Sequence, residues 1–566
     1  MRIQQLLTIV MAGILVVFTA YGATSEKDDA SSANEMKIYQ KSTAYFFVPI
    51  ADLVHESSLS NYLRAPKLFN KFGVEVTAAE VKFVSHWNVD LVLQGFDNIS
   101  NIVSASAQDN FIAWNPRGSR LGLGFQTYAW GKADGLNPTA VINPMDFRMP
   151  TDLKKVPALS ASYTAYPAPW LSIDAVYLPF KQESILPYSI AEKIPRSVFN
   201  KYTATSLSLY ITNFDMGTGS VGMTSQQTLQ EAAMTNDIEN KAFAFDLNNP
   251  VGALRANFFF GPVDFSFMYA YDIDQFYTTS LSLEQYAALT QAMVDAAVES
   301  AVDDAVARGV IPGAASAATK AGLKASIPKD VCRISAIDLM RARAHRFGAD
   351  MKTTIGPSGV WAEVCYSLTE DPGNTSSRIR NPYIDWTIGF DLSYGPDDLW
   401  YINVQYTGSF VQNYDDRFYT DYANGLPDPL QASNTSYMAN YYYRAFTQKF
   451  GNQYEGLTHG IVVKANWPLF NDALVPSIAA SYFFPMIYDT KEKTRYGRGI
   501  IMPEIKWNIN DALSLSLGAN IYFAFKKDAG SSKLAIDRND PIGMFYDDSS
   551  AYLRFTYAWN IVRQSE

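Results

Sequence analysis

The residues with chemistry to offer are few and far apart. The four histidines, His55, His86, His345 and His459, fall at no spacing that would let them share a metal. The two cysteines, Cys332 and Cys365, are equally open to a disulfide and to two free thiols in an exported chain. No G-x-S-x-G, H-E-x-x-H or P-loop pattern occurs, so neither catalysis nor a cofactor is expected. What remains is a set of acidic, basic and amide side chains near strand ends: Asp134, Asn143, Asp146 and Arg148 behind Trp130, then Glu363 and Asp391. Carboxylates facing guanidinium and N–H groups make charge-assisted hydrogen bonds, the chemistry of a latch rather than of a reaction. Two readings stand for the Asp134, Asp146 and Arg148 group: a salt-bridged turn that fixes a loop, and a lumen constriction or latch on an inward-folded loop. Trp130 reads as an interfacial anchor.

These residues need a scaffold, and the scaffold begins with export. Arg2, an apolar run from Leu6 to Phe18, and Ala20-Tyr21-Gly22 have the form of a signal peptide over residues 1–22. Beyond it the chain has no apolar run of spanning length, yet it carries 34 Phe, 35 Tyr and 10 Trp. A chain that enters a membrane without spanning helices must close its strands into a barrel, because open edges leave backbone groups unpaired in lipid. The net charge of −10 argues against nucleic acid as a partner.

Period-two alternation supports the barrel. Leu121, Leu123 and Phe125 alternate with Gly122, Gly124 and Gln126. Phe265, Phe267, Tyr269 and Tyr271 alternate with Asp264, Ser266 and Met268. Similar runs occupy Trp170 to Tyr177, Trp400 to Thr407, Leu513 to Phe523 and Tyr552 to Trp559. One face is aliphatic and bounded by aromatics, and the other is small or polar, as lipid outside and a hydrated lumen require. The same alternation puts Glu363 and Asp391 on the non-lipid face, in a lumen network first and a substrate gate second. The expected fold is an all-β transmembrane antiparallel barrel of roughly 14–18 strands.

Residues 80–566 form the expected barrel. Residues 23–79 are less regular and read either as a plug or as a first strand with its loop. Between about 281 and 326 the period changes to that of a helical insert. Ser282 and Gln285 form a capping box, Val294, Val298, Val302 and Ala305 form an apolar stripe, and Gly309 and Pro312 end it. Asp295, Glu299, Asp303 and Asp304 keep this insert out of lipid. Residues 412–455 read as a long loop whose run Tyr441-Tyr442-Tyr443 either packs on itself or meets a surface partner.

One block carries a family resemblance. It runs from Gly124 through Gln126, Trp130, Gly131 and Asp134 to Asn143-Pro144-Met145-Asp146-Phe147-Arg148, then to Val156-Pro157 and Tyr177-Leu178-Pro179. Downstream, Arg343, Arg346, Gly348-Ala349-Asp350, Ala362-Glu363, Gly389-Phe390-Asp391-Leu392 and Asn510-Asp511 continue it. The block resembles the outer-membrane barrels grouped as domain-of-unknown-function family 1302. The Ala-rich insert and the tail after Trp559 depart from that pattern. The resemblance implies a Gram-negative outer-membrane protein in contact with outer-membrane lipid. It also implies passage of small, hydrophobic molecules and a periplasmic or inner-membrane transporter as partner. The alternative is a structural or adhesin-like surface barrel without transport.

Overall fold

In a computed structural model of the chain, the described residues are 35–50, 67–92, 103–133, 135–146, 154–182, 184, 249–274, 278–287, 291–307, 309, 311–326, 330–373, 375–396, 399–414, 431, 433–450, 455–485, 495–527, 534–537 and 540–564. Residues 1–22, read from the sequence as a signal peptide, lie outside them.

The strands, in chain order, are β1 (Glu35–Pro49), β2 (Lys67–Ala78), β3 (Val81–Val92), β4 (Val103–Trp114), β5 (Ser119–Gln126), β6 (Met145–Asp146), β7 (Lys154–Lys155), β8 (Ala158–Ala168), β9 (Leu171–Leu178), β10 (Val251–Phe260), β11 (Val263–Ile273) and β12 (Thr278–Ala287). They continue with β13 (Asp330–Met340), β14 (Arg343–Ile355), β15 (Ser358–Thr369), β16 (Tyr383–Tyr394), β17 (Trp400–Val411), β18 (Leu457–Asn466), β19 (Leu474–Phe483), β20 (Arg495–Asn508), β21 (Leu513–Lys527), β22 (Leu534–Ile536) and β23 (Ser550–Gln564). The helices are α1 (Gln291–Ala307), α2 (Ser316–Ser326) and α3 (Thr435–Phe450).

Each barrel strand pairs antiparallel with its sequence neighbour in the ring, and β1 pairs with β23 from Glu35↔Gln564 to Pro49↔Ser550. That last pairing closes the ring at eighteen strands, with the short β22 attached beside β21. Closure leaves no edge with unpaired N–H and C=O groups. The strands reach outward with Leu123, Phe267, Ile388 and Leu517, all exposed, and inward with Gln126, Ser266, Thr387 and Ser516, all buried. No helix among the described residues is long and apolar enough to cross a membrane; the apolar belt belongs to the strands.

Two boundaries differ from the sequence reading. The barrel begins at Glu35, not at residue 80, because β1 and β2 are ring strands paired to β23 and β3. The insert is not helical from Ser282. Residues Thr278–Ala287 form β12, which pairs with β13 in a separate hairpin, and Gln285 donates to the Ser433 carbonyl at 2.5 Å instead of capping a helix. The local alternation Leu281, Leu283 suits a strand, and pairing with β13 decides between the two periods. The helix starts at Gln291. Its stripe Val294, Val298, Val302 and Ala305 is buried, and its principal packing partner is α2. Cys365 is a free, buried thiol in β15.

Tight connections such as those between β2 and β3, β10 and β11, and β14 and β15 gather at one end of the ring, and the long ones at the other. In outer-membrane barrels short turns face the periplasm and long loops the exterior.

Candidate functional site: a loop latched inside the barrel

The connection from β5 to β8 leaves the long-loop end and turns into the lumen. Gly131 makes the first bend at φ +90°, where a Cβ would come within 2.0 Å of Asn137 Oδ1. Glu363, on the inner face of β15, then receives the loop. Its Oε1 accepts the N–H groups of Lys132 and of Ala133 (2.5 Å), and its Oε2 accepts from Thr139 through Oγ1 at 3.0 Å and N–H at 3.3 Å. Thr387 of β16 donates to the Leu136 carbonyl at 3.1 Å. One ionised side chain thus ties down the part of the loop that reaches mid-barrel, with hydrogen bonds of the stronger, charge-assisted kind.

The return half is held by Asn143, which is buried. Its Nδ2 donates to the carbonyls of Gln126 (2.9 Å) and Val156 (3.0 Å), and its Oδ1 accepts from Tyr128 N–H (2.7 Å). Lys155 donates to the Tyr128 carbonyl at 2.8 Å, and burial holds its ammonium below the ordinary lysine range. Asp146 stands in the two-residue ladder Asp146↔Lys154 at the loop's inner hairpin.

Apolar packing reinforces the latch. Trp130, Val141 and Ile142 join Val176 and Leu178 of β9, Ala253 of β10, and Met268 and Ala270 of β11 in one buried cluster. Trp130 is only 5% exposed, so it is not the interfacial anchor its position after a strand suggested. The chain turns inward at Gly131 and carries the indole with it. Arg255 of β10 lies 5.7 Å over the Trp130 ring and pairs with Asp350 of β14 at 2.9 Å.

Nearer the long-loop end, a second polar cluster fixes the same side. Lys181 donates to the Val141 carbonyl (2.6 Å) and to Asp272 (2.7 Å); Arg346 pairs with Asp272 (2.8 Å), and Arg380 with Asp274 (2.7 Å). Burial pushes the Lys181 ammonium down to about 8, against the opposing pull of Asp272. Arg346 and Asp350 entered the sequence reading only as part of the family resemblance, and Arg255 and Lys181 not at all. The available signal was parity: Arg255 and Arg346 occupy inward positions of β10 and β14, and β10 is otherwise mostly apolar.

The loop fills the β8–β11 and β14–β16 side of the lumen. Across from it, the described residues leave open space. There a cavity of about 590 Å³ is lined by Lys37, Tyr39 and Lys41 of β1, Lys71 of β2, Asp90 of β3 and Trp559 of β23, with Asp146 and Lys154 of the loop closing it. Asp391 takes no part in either cluster; it accepts the Gly359 N–H at 3.0 Å across the β15–β16 pair. Asp134 and Arg148 lie outside the described residues. Among the described residues no group of three or more His, Cys, Asp or Glu is placed to hold a metal. The tyrosine run lies in α3, where Tyr441 is fully buried.

No family model and no curated protein sequence matches the chain. Solved structures of similar architecture include the outer membrane protein opdK from Pseudomonas aeruginosa, at 6% identity and TM-score 0.42 over 94% of this chain and 99% of that one. Pseudomonas aeruginosa OccK5 (OpdH) aligns at 7% identity and TM-score 0.42, over 94% and 98% of the two chains. Acinetobacter baumannii OccAB3 aligns at 8% identity and TM-score 0.44, over 94% and 99%. The chain is an outer-membrane barrel. Its own closed ring and outward apolar belt carry that statement, and the likeness extends to architecture alone.

Proposed function

We propose that the chain conducts small solutes across the outer membrane, through the space between the latched loop and the wall of β23 and β1–β4. The observation that carries this reading is the asymmetry of the lumen. The loop is pinned by Glu363, Asn143 and an apolar cluster to one side, and a cavity of about 590 Å³ with a mixed polar and apolar lining remains on the other. A barrel serving only as a surface scaffold has no need of an ionised side chain in its wall that accepts three backbone N–H groups from an internal loop. The lining mixes lysines and Asp90 with the rings of Tyr39, Tyr45 and Phe69, which suits a solute with an apolar body and a polar group. A hydrophobic cargo and a periplasmic or inner-membrane transporter partner, both implied by the family 1302 resemblance, belong to this proposal.

Planar-bilayer conductance tests it. The refolded chain should show discrete channels, and deleting residues 131–139 should enlarge them. A barrel that is fully inserted yet electrically silent with and without the loop would overturn the proposal.

A further inference from the structure

The outer wall between β8 and β11 is unevenly bulky. Strand register puts Ala161 beside Tyr177, Tyr177 beside Gly252, and Gly252 beside Tyr271. One row deeper, Tyr163 stands beside Ala175 and Ala175 beside Leu254. Small and large side chains therefore interleave, and leave an almost wholly apolar groove of about 500 Å³ in the lipid-facing surface. Its floor is Ala161, Ala175 and Gly252; Tyr177, Leu254 and Tyr271 rise beside it. A Cβ built on Gly252 meets nothing within 4 Å, so the groove is open at that point.

β9 runs from the Pro169–Trp170 turn towards the long-loop end, which sets the Tyr177–Gly252–Tyr271 row in the half of the belt nearer the exterior. The groove's outer edge carries cationic and aromatic groups. The Arg343 guanidinium lies 4.9 Å over the Tyr271 ring, the His345 ring is 5.1 Å from Tyr271, and Tyr269 Oη is 2.9 Å from His345 Nδ1. Arg343 is held at this edge by donating to the Pro250 carbonyl (2.5 Å) and to Asn249 Oδ1 (3.2 Å), while the nearby Glu370 accepts the Arg343 backbone N–H at 3.0 Å.

We propose that this groove binds lipopolysaccharide, the phosphorylated, multiply acylated lipid of the outer leaflet, with one acyl chain over Gly252 and a phosphate against Arg343 and His345. Three features select that occupant. The floor is apolar and faces hydrocarbon, so it takes an acyl chain. The groove lies towards the exterior, in the leaflet where this lipid resides. Its outer edge offers a guanidinium and an imidazole, which complement a phosphate.

Native mass spectrometry of the full chain in detergent, with added lipopolysaccharide, tests the site. Phosphatidylglycerol and phosphatidylethanolamine serve as competing lipids. The wild-type chain should retain one lipopolysaccharide through washing that strips both phospholipids. Gly252→Leu fills open space, and should reduce occupancy by at least about tenfold while heat-modifiable migration and conductance stay unchanged. Ala175→Met fills the same groove from β9 and covers the case in which G252L fails to fold. Arg343→Gln should weaken retention but keep the acyl contact. Undiminished retention by the folded groove-filling variants, or phosphatidylglycerol held as firmly as lipopolysaccharide, would overturn the assignment.

Discussion

Glu363 is the residue on which the interior arrangement turns. Its carboxylate accepts from three backbone N–H groups and one hydroxyl of a loop more than 220 positions away in sequence. Hydrogen bonds to a charged group are worth roughly 1.5–3 kcal/mol each, so Glu363→Gln, which keeps shape and loses charge, should ease loop release by about 2 kcal/mol. That corresponds to roughly a 30-fold larger released population. Hydrogen exchange at the Lys132 and Ala133 amides should accelerate accordingly, while the barrel's own strands remain protected. Unchanged exchange at both amides would show that the apolar cluster alone fixes the loop. Asn143→Ala should act on the other half, exposing the Tyr128 amide. Glu363 was legible in the sequence because strand parity sends its side chain inward. Trp130 was misread for an equally physical reason: an aromatic after a strand suits a membrane interface, and nothing local shows that Gly131 turns the chain into the lumen. Arg255 was passed over although its parity pointed inward, since its partner Asp350 is distant in sequence.

At the scale of elements, the helical pair α1–α2 is the most self-contained part of the described structure. α1 buries Val294, Val298, Val302 and Ala305, packing chiefly on α2, and Lys320 and Lys324 of α2 reach Glu299 at 2.6 Å each. Val302→Ala removes two buried carbons and should loosen this pair by about 1.6 kcal/mol, at roughly 0.8 kcal/mol per carbon. Barrel migration on gels should be unaffected, because the loss is confined to the insert. The ion pairs add a pH signature. Hydrogen bonds from Lys320 and Lys324 hold the Glu299 carboxyl down at about 2, below its ordinary 4.5. A depressed carboxyl contributes stability that is present above 4.5 and lost as pH falls towards 2. Pepsin should therefore cut the 308–315 connection faster at pH 2.5 than at pH 4, after correction for the enzyme's own profile, and Glu299→Gln should flatten that difference. The apolar stripe was readable because its spacing is helical. The helix start was not, because Ser282 and Gln285 fit a capping box and an alternating strand equally well, and only the distant β13 chooses between them.

For the molecule as a whole, alternation and export were sufficient to foresee a closed barrel, and the ring of eighteen strands falls at the top of the expected range. An inward-folded loop was one of the two readings open for the Asp134, Asp146 and Arg148 group, and local sequence does not choose between them, since the choice depends on side chains from several strands meeting one loop. The resulting geometry makes charge in the open half of the lumen decisive for what passes. Lys71 lines the cavity with its ammonium 5.7 Å from the Tyr39 ring, on the wall opposite the latch. A unit charge about 5 Å from a passing ion in water contributes about 0.8 kcal/mol. Lys71→Glu changes the local charge by two and moves anions and cations in opposite directions, so it should shift the anion-to-cation permeability ratio towards cations by roughly two orders of magnitude at low salt. In 1 M salt the Debye length contracts to about 3 Å, and the shift should shrink accordingly. Reversal potentials under a salt gradient measure both effects. The same reversal at Lys464, which register sets beside the inward Asn403 on the β18 wall and outside this cavity's lining, should shift the ratio much less. A ratio that responds equally to the two substitutions would mean that ions do not pass along the β23 and β1–β4 wall.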